Sequence, residues 1–195
     1  MEDILAIARI ITRQPAVIAT FLIVGTGLGV LGTIATRRRN WSTLRRWALV
    51  AAGFAFAVLP ATTLARRLDH VQWRLPGGGE FSALSLRAPG LAPTTPEDWL
   101  NVVMLVPFGV LAVLATRRPG LVTIAAASSV VAVEVLQGAA GIGVISVADF
   151  VHNLLGAALG AATGALIPRD RLRARPTALE QNLIRRGRSA RITAP

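Results

Sequence analysis

The chain has 195 residues, of which 53% are hydrophobic, with a mean hydropathy of +0.56 and a formal net charge of +11. A soluble domain would carry its apolar residues at periods of 2 or 3.6, whereas here they form continuous blocks. All 21 basic residues are arginines and most lie just outside those blocks, which argues against nucleic-acid binding and for an integral membrane protein. The absence of cysteine excludes disulfides and thiolate metal sites.

Five apolar blocks are long enough to cross a bilayer core, which takes about 17–25 helical residues. They cover residues 15–35, 47–65, 97–115, 120–137 and 148–167. Pro60 and Pro107 interrupt two of the blocks, which membrane helices tolerate where neighbouring groups satisfy the freed carbonyl. The sequence therefore predicts an all-α integral membrane bundle of about five transmembrane helices.

The blocks and the segments between them divide the chain into five parts. We expect an interfacial N-terminal segment (1–14), two transmembrane helices (15–65), an extracytoplasmic loop (66–98), a core of three transmembrane helices (99–167) and a basic cytoplasmic tail (168–195). The loop contains PGGG, around which a short hairpin is one possibility. It ends in Thr95-Pro96-Glu97-Asp98, a capping-box pattern that predicts the start of the third span.

The arginines also predict the orientation of the chain. With five spans, fifteen of the 21 arginines fall on one side, in the loop 36–46, the turn 117–119 and the tail after residue 167. Positively charged loops stay in the cytoplasm. We therefore predict a bacterial cytoplasmic (inner) membrane protein with its N-terminus outside and its C-terminus inside.

Two carboxylates, Glu134 and Asp149, lie inside apolar stretches, where a charge at the bilayer centre costs about 2.5–3.5 kcal/mol. Polar companions follow at helical spacing, and the predicted depths bring Asn101 to the same outer level. The sequence thus predicts a polar cluster that is the candidate ligand-binding site: Asn101, Glu134, Gln137, Asp149, His152 and Asn153.

Other interpretations of this cluster remain open. It can be a hydrogen-bonded network that only fixes helix register. A metal site from Glu134, Asp149 and His152 is less favoured, because a single histidine is available there and no second Asp-x-x-His follows. We therefore expect neither a bound metal nor another cofactor.

Glycines recur every three or four residues in two of the predicted spans. In the fifth span Gly156, Gly160 and Gly164 continue the stripe of Asp149 and Asn153. Small residues at this spacing let helix backbones approach closely in lipid, so these glycines predict helix packing. The first span carries a second set at positions 25, 29 and 32.

Over residues 99–166 the sequence resembles the VanZ-like membrane family. The resemblance rests on Asn101 with Pro107-Phe108-Gly109, then Glu134 and Gln137, then Asp149-x-x-x-Asn153-x-x-Gly156-x-x-x-Gly160. It implies a multi-pass bacterial cell-envelope protein, in a family whose name-giving member is associated with resistance to the antibiotic teicoplanin. Members often carry an Arg and an Asp before the last motif, where this chain has Gly143 and Ser146. The carboxylates therefore lack that cationic partner.

Three functions are compatible with these observations. The first is a non-enzymatic envelope protein that binds an envelope lipid or a lipophilic, glycopeptide-type ligand through the polar cluster. The alternative is a membrane enzyme that acts on a lipid-linked substrate with Glu134 or Asp149 as acid or base. The third is a small transporter, although the chain has no internal repeat of the kind that transporters show. Membrane lipids are the expected partners in each case.

Overall fold

The computed structural model describes residues 14–65, 92–141 and 146–168. These residues form five helices: α1 (Pro15–Thr36), α2 (Thr43–Thr63), α3 (Pro96–Thr116), α4 (Pro119–Ala139) and α5 (Val147–Leu166). The described ranges contain no β-strand, and the all-α prediction is confirmed. The predicted interfacial segment, the possible hairpin and the basic tail lie outside the described residues.

Four of the five helices, α1 to α4, are long and apolar enough to cross a bilayer. Each of them has 21 or 22 residues, and α2 and α3 continue through Pro60 and Pro107 as expected. The 20-residue α5 does not belong to this group, because three polar residues in its first two turns lower its hydropathy. The four apolar helices indicate a membrane protein, whereas a membrane crossing by α5 stays a prediction.

Helix starts follow local capping chemistry more closely than they follow hydropathy. α2 begins at Thr43, earlier than the predicted residue 47, because the Ser42 hydroxyl accepts a bond of 3.4 Å from the Arg45 backbone N–H. The predicted capping box of α3 is confirmed. Thr95 Oγ1 accepts from the Asp98 backbone N–H at 3.2 Å, and Asp98 Oδ2 accepts from the Thr95 N–H at 2.9 Å.

Helices α3 and α5 are packed backbone against backbone. Gly156, Gly160 and Gly164 of α5 lie on the carbonyl oxygens of Val102, Val106 and Val110 of α3, in that order. Since both series increase together, the two helices run parallel. A Cβ atom at Gly164 would stand 2.8 Å from the Val110 oxygen, and at the other two glycines it would stand closer still. Side chains larger than hydrogen therefore have no room along this contact.

The other helices surround this pair. α2 packs on α3, α4 packs on α5, and α1 packs antiparallel on α2, with Gly25, Gly29 and Gly32 against Phe54, Val50 and Leu49. The main buried cluster joins α2, α3, α4 and α5, and consists of Leu59, Leu105, Ala126, Val130, Val133 and Ala157. The outer face of α1 is apolar and open, with Ile23 72% exposed, which suits contact with lipid.

Candidate functional site

Polar side chains collect at one end of the bundle, where α3 and α5 begin and α4 ends. The parallel packing of α3 and α5 places their first turns side by side. The connection from α4 to α5 spans only a few residues, so the last turn of α4 lies at the same end. This end holds all six polar residues that the sequence predicts as a cluster.

Asn101 and Asp149 meet directly. The Asn101 side-chain amide donates a hydrogen bond of 2.8 Å to Asp149 Oδ1, from α3 to α5. Both side chains are partly buried. This bond fixes the start of α5 against α3.

Glu134 is joined to α5 through Ser146. Its side chain is buried, and its Oε2 atom accepts a hydrogen bond of 2.9 Å from the Ser146 backbone N–H. Ser146 is also the N-cap of α5, because its hydroxyl accepts from the Asp149 backbone N–H at 3.2 Å. The serine that departs from the common family pattern thus links the carboxylate of α4 to the first turn of α5.

His152 lies against a residue outside the predicted cluster. Its Nδ1 atom is 3.3 Å from Asp98 Oδ1, and the His152 side chain is 2% exposed. Neither ring nitrogen makes a hydrogen bond of acceptable geometry, so the contact with Asp98 is electrostatic and becomes an ion pair when the ring is protonated. The second oxygen of Asp98 is already engaged by the backbone N–H groups of Thr94 and Thr95, each at 2.9 Å.

Asn153 is 2% exposed and only half satisfied. Its Nδ2 atom donates to the Asp149 backbone carbonyl at 2.9 Å, whereas its Oδ1 atom is buried without a partner. Buried polar side-chain atoms nearly always have a hydrogen-bond partner, so such an atom calls for an explanation. One explanation is that a bound molecule donates a hydrogen bond to this oxygen.

Gln137 was expected to face the other residues of the polar cluster, but its side chain has a different partner. Its Nε2 atom donates to the Thr63 backbone carbonyl at 3.2 Å, which is in the last turn of α2. A helix end has carbonyls without intrahelical partners, and these attract side-chain donors. Gln137 therefore ties α4 to α2 and does not face Asn101 and Asp149.

Three contributors to this end of the bundle were not predicted from the sequence: Asp98, Ser146 and the Thr63 carbonyl. Asp98 was interpreted as a helix cap alone. Its position three residues before Asn101 puts both side chains on one face of α3, and this spacing is the signal that would have found it.

Among the described residues, no group of three or more His, Asp or Glu side chains is placed to hold a metal ion.

These features define a helical, multi-pass membrane protein with a buried polar cluster at one end of its bundle. The VanZ/LLP1 family matches residues 58–167, which is more than half of the chain, and the chain belongs to this family. The matched region contains α3, α4 and α5 and every residue of the cluster. A search of curated proteins and a search of solved structures found no match.

Proposed function

We propose that this protein is a non-enzymatic cell-envelope membrane protein that binds the polar part of an envelope lipid or of another lipophilic molecule at the polar end of the bundle. The observation that carries the proposal is a set of buried polar atoms without hydrogen-bond partners. They are the Nε2 atom of His152 and the Oδ1 atom of Asn153, whereas the Nδ1 atom of His152 has its contact with Asp98.

A buried polar group without a partner costs about 1–3 kcal/mol. Two such atoms lie on consecutive residues in the second turn of α5. A ligand that supplied donors and acceptors to them would recover part of this free energy. Asp98 lies beside His152 and its side chain is 19% exposed, so the cluster has a route to the surface.

The charges at this end indicate which headgroups fit. Asp98, Glu134 and Asp149 bring three carboxyl groups to the cluster, and no arginine of the described residues lies with them. An anionic headgroup would be repelled by these carboxylates, whereas hydroxyl or ammonium groups can donate to them. We therefore propose a headgroup rich in hydroxyl or amine groups, attached to an apolar part that lies along the exposed helix faces.

The test is to identify what co-purifies with the full chain in a mild detergent, by extraction and mass spectrometry. The wild type is expected to be enriched in one class of molecule relative to the bulk membrane lipid. Asn153→Leu, which removes the unpartnered oxygen at similar volume, is expected to lose this enrichment. Thr163→Val is the matched control, because Thr163 lies on the exposed face of α5.

Identical lipid profiles for the wild type and Asn153→Leu, with both variants folded by their melting curves, would refute the proposal. Recovery of a chemically altered molecule that is lost in Glu134→Gln or Asp149→Asn would instead favour the enzyme that acts on a lipid-linked substrate.

A further inference from the structure

The opposite end of the bundle holds two arginines in fixed positions. The Arg45 Nε atom, at the start of α2, donates to the Ala115 carbonyl at 2.9 Å. The Arg117 Nη1 atom, just after α3, donates to the Ile167 carbonyl at 3.1 Å. Ala115 and Ile167 lie at the C-terminal ends of α3 and α5, where the helix dipoles favour positive charge.

These two arginines meet at the same helix end, because Arg45 bonds to the carbonyl of Ala115, two positions before Arg117. The positive charge of Arg117 acts on Arg45. In the described residues every acid lies towards the other end of the bundle: Glu97, Asp98, Glu134 and Asp149. Asp98 in the first turn of α3 and Arg117 just after its end are nineteen positions apart, about 28 Å at the rise of an α-helix. Within the described ranges, no carboxylate therefore neutralises the arginine pair.

One donor of this pair is both buried and free. The Arg117 Nη2 atom is inaccessible to solvent and has no hydrogen-bond partner. A buried guanidinium nitrogen beside a second cation is costly unless an acceptor with negative charge completes it. An anionic ligand therefore suits the unpartnered Arg117 donor better than a neutral acceptor does.

The Trp41 ring holds Arg45 in place. The guanidinium carbon of Arg45 is 4.3 Å from the centre of the Trp41 ring, and that of Arg39 is 5.9 Å from it. Cations over an indole face are held by its quadrupole, which leaves their N–H groups free to donate. Tryptophan is also enriched at the depth of lipid headgroups, so the pair lies where phospholipid phosphates are found.

We propose that Arg45 and Arg117 form a binding site for the phosphate group of an anionic phospholipid headgroup, distinct from the polar cluster at the other end. Guanidinium groups match phosphate because their planar N–H forks pair with two of its oxygens. The two guanidiniums supply both the donors and the charge. The lipid tails would lie along the apolar helix faces that surround the site.

The experiment measures the melting temperature of the full chain in micelles of a short-chain phosphatidylcholine, with added phosphatidylglycerol or with added inorganic phosphate. Phosphatidylglycerol is expected to raise the melting temperature of the wild type, since a ligand that binds the folded state stabilises it. In Arg45→Gln the half-maximal concentration of phosphatidylglycerol should rise about tenfold or more, as expected for the loss of a charge-assisted bond. Arg118→Gln is the control, because it removes the same charge from an exposed neighbour.

An unchanged half-maximal concentration in Arg45→Gln, or an equal rise in Arg118→Gln, would overturn the proposal, because the effect would then be absent or a matter of net charge. Protection by inorganic phosphate that competes with phosphatidylglycerol and is lost in Arg45→Gln would support the same site with soluble phosphate as the source. Arg45→Gln and Arg117→Gln each also lose a bond to a helix-end carbonyl, so the response of each variant is measured relative to its own melting temperature in phosphatidylcholine alone.

A control for an intramolecular partner is Asp170→Asn, the acid nearest to Ile167 in the sequence beyond the described residues. This variant is expected to keep the response to phosphatidylglycerol. The effect of Arg45→Gln is then measured again in a chain that also carries Asp170→Asn. If Arg45→Gln no longer changes the phosphatidylglycerol response there, the proposed lipid site is wrong.

Discussion

Asn101 of α3 donates a hydrogen bond of 2.8 Å to the Asp149 carboxylate of α5, and this bond joins two helices that run in parallel. One turn before Asn101, Asp98 lies 3.3 Å from His152, which is one turn after Asp149, so the two polar contacts cross between the helices. Two polar contacts at one end and a continuous glycine contact below them thus hold α3 and α5 together.

The bond between Asn101 and Asp149 is expected to contribute measurably to stability. Asn101→Ala should lower the free energy of unfolding by about 1.5–3 kcal/mol, because it leaves a partly buried carboxyl group without its donor. Asp149→Asn should lower it by less than Asp149→Ala does, since the amide oxygen still accepts from Asn101. Unfolding by a denaturing detergent measures these values, and the double mutant Asn101→Ala/Asp149→Ala gives the coupling. Coupling near zero would contradict the contact.

Glu134 is expected to act through its acceptor oxygen. Glu134→Gln keeps an oxygen for the Ser146 N–H and should be nearly neutral, whereas Glu134→Ala should cost about 1–3 kcal/mol. The same unfolding measurement checks stability, and a cell-envelope phenotype is scored beside it. A well-folded Glu134→Gln protein that loses all function would show that the negative charge itself is needed, in catalysis or in cation binding.

The glycine contact between α3 and α5 predicts a strong asymmetry among small substitutions. Gly156→Ala should destabilise the protein by about 3 kcal/mol or more, since its methyl group would be forced onto the Val102 carbonyl oxygen. Gly27→Ala is the matched control, because an added Cβ there meets open space, and it should be neutral or stabilising by up to about 1 kcal/mol. Equal melting temperatures for the two variants would mean that α3 and α5 are not in backbone contact.

The same contact predicts a difference between neighbouring positions on α5. Gly160→Leu should reduce the yield of folded protein far more than Ala158→Leu does, because Gly160 lies on the Val106 carbonyl and Ala158 is half-buried. Size-exclusion profiles and melting curves in detergent measure the difference. Similar profiles would exclude a helix contact at Gly160.

The orientation in the membrane is a prediction from arginine positions alone. A reporter that is active only in the cytoplasm should give a signal when fused after Pro195 and no signal when inserted near Gly78. The reverse pattern would mean that the bundle has the opposite orientation in the membrane. It would place the polar cluster on the cytoplasmic side and the arginine pair outside.

The sequence by itself determined the helices, their apolar character and the family. Long apolar blocks and the capping pattern from Thr95 to Asp98 act through neighbours in the chain, and a helix satisfies its own backbone hydrogen bonds. The VanZ-like motifs are local in the same sense, and the family match over residues 58–167 agrees with them. These features depend on few contacts between distant residues, so the sequence was sufficient for them.

The partners of the polar residues were decided by the tertiary structure. Asp98 faces His152, Gln137 bonds the Thr63 carbonyl, and Ser146 bonds Glu134, although residues of similar polarity were available to each. Helical spacing gives the face of a helix on which a side chain lies, but the choice of neighbour follows from the direction and register of the packed helices. Here the close approach of Gly156, Gly160 and Gly164 to the backbone of α3 fixes that register, and with it the polar pairs at one end and the arginine pair at the other.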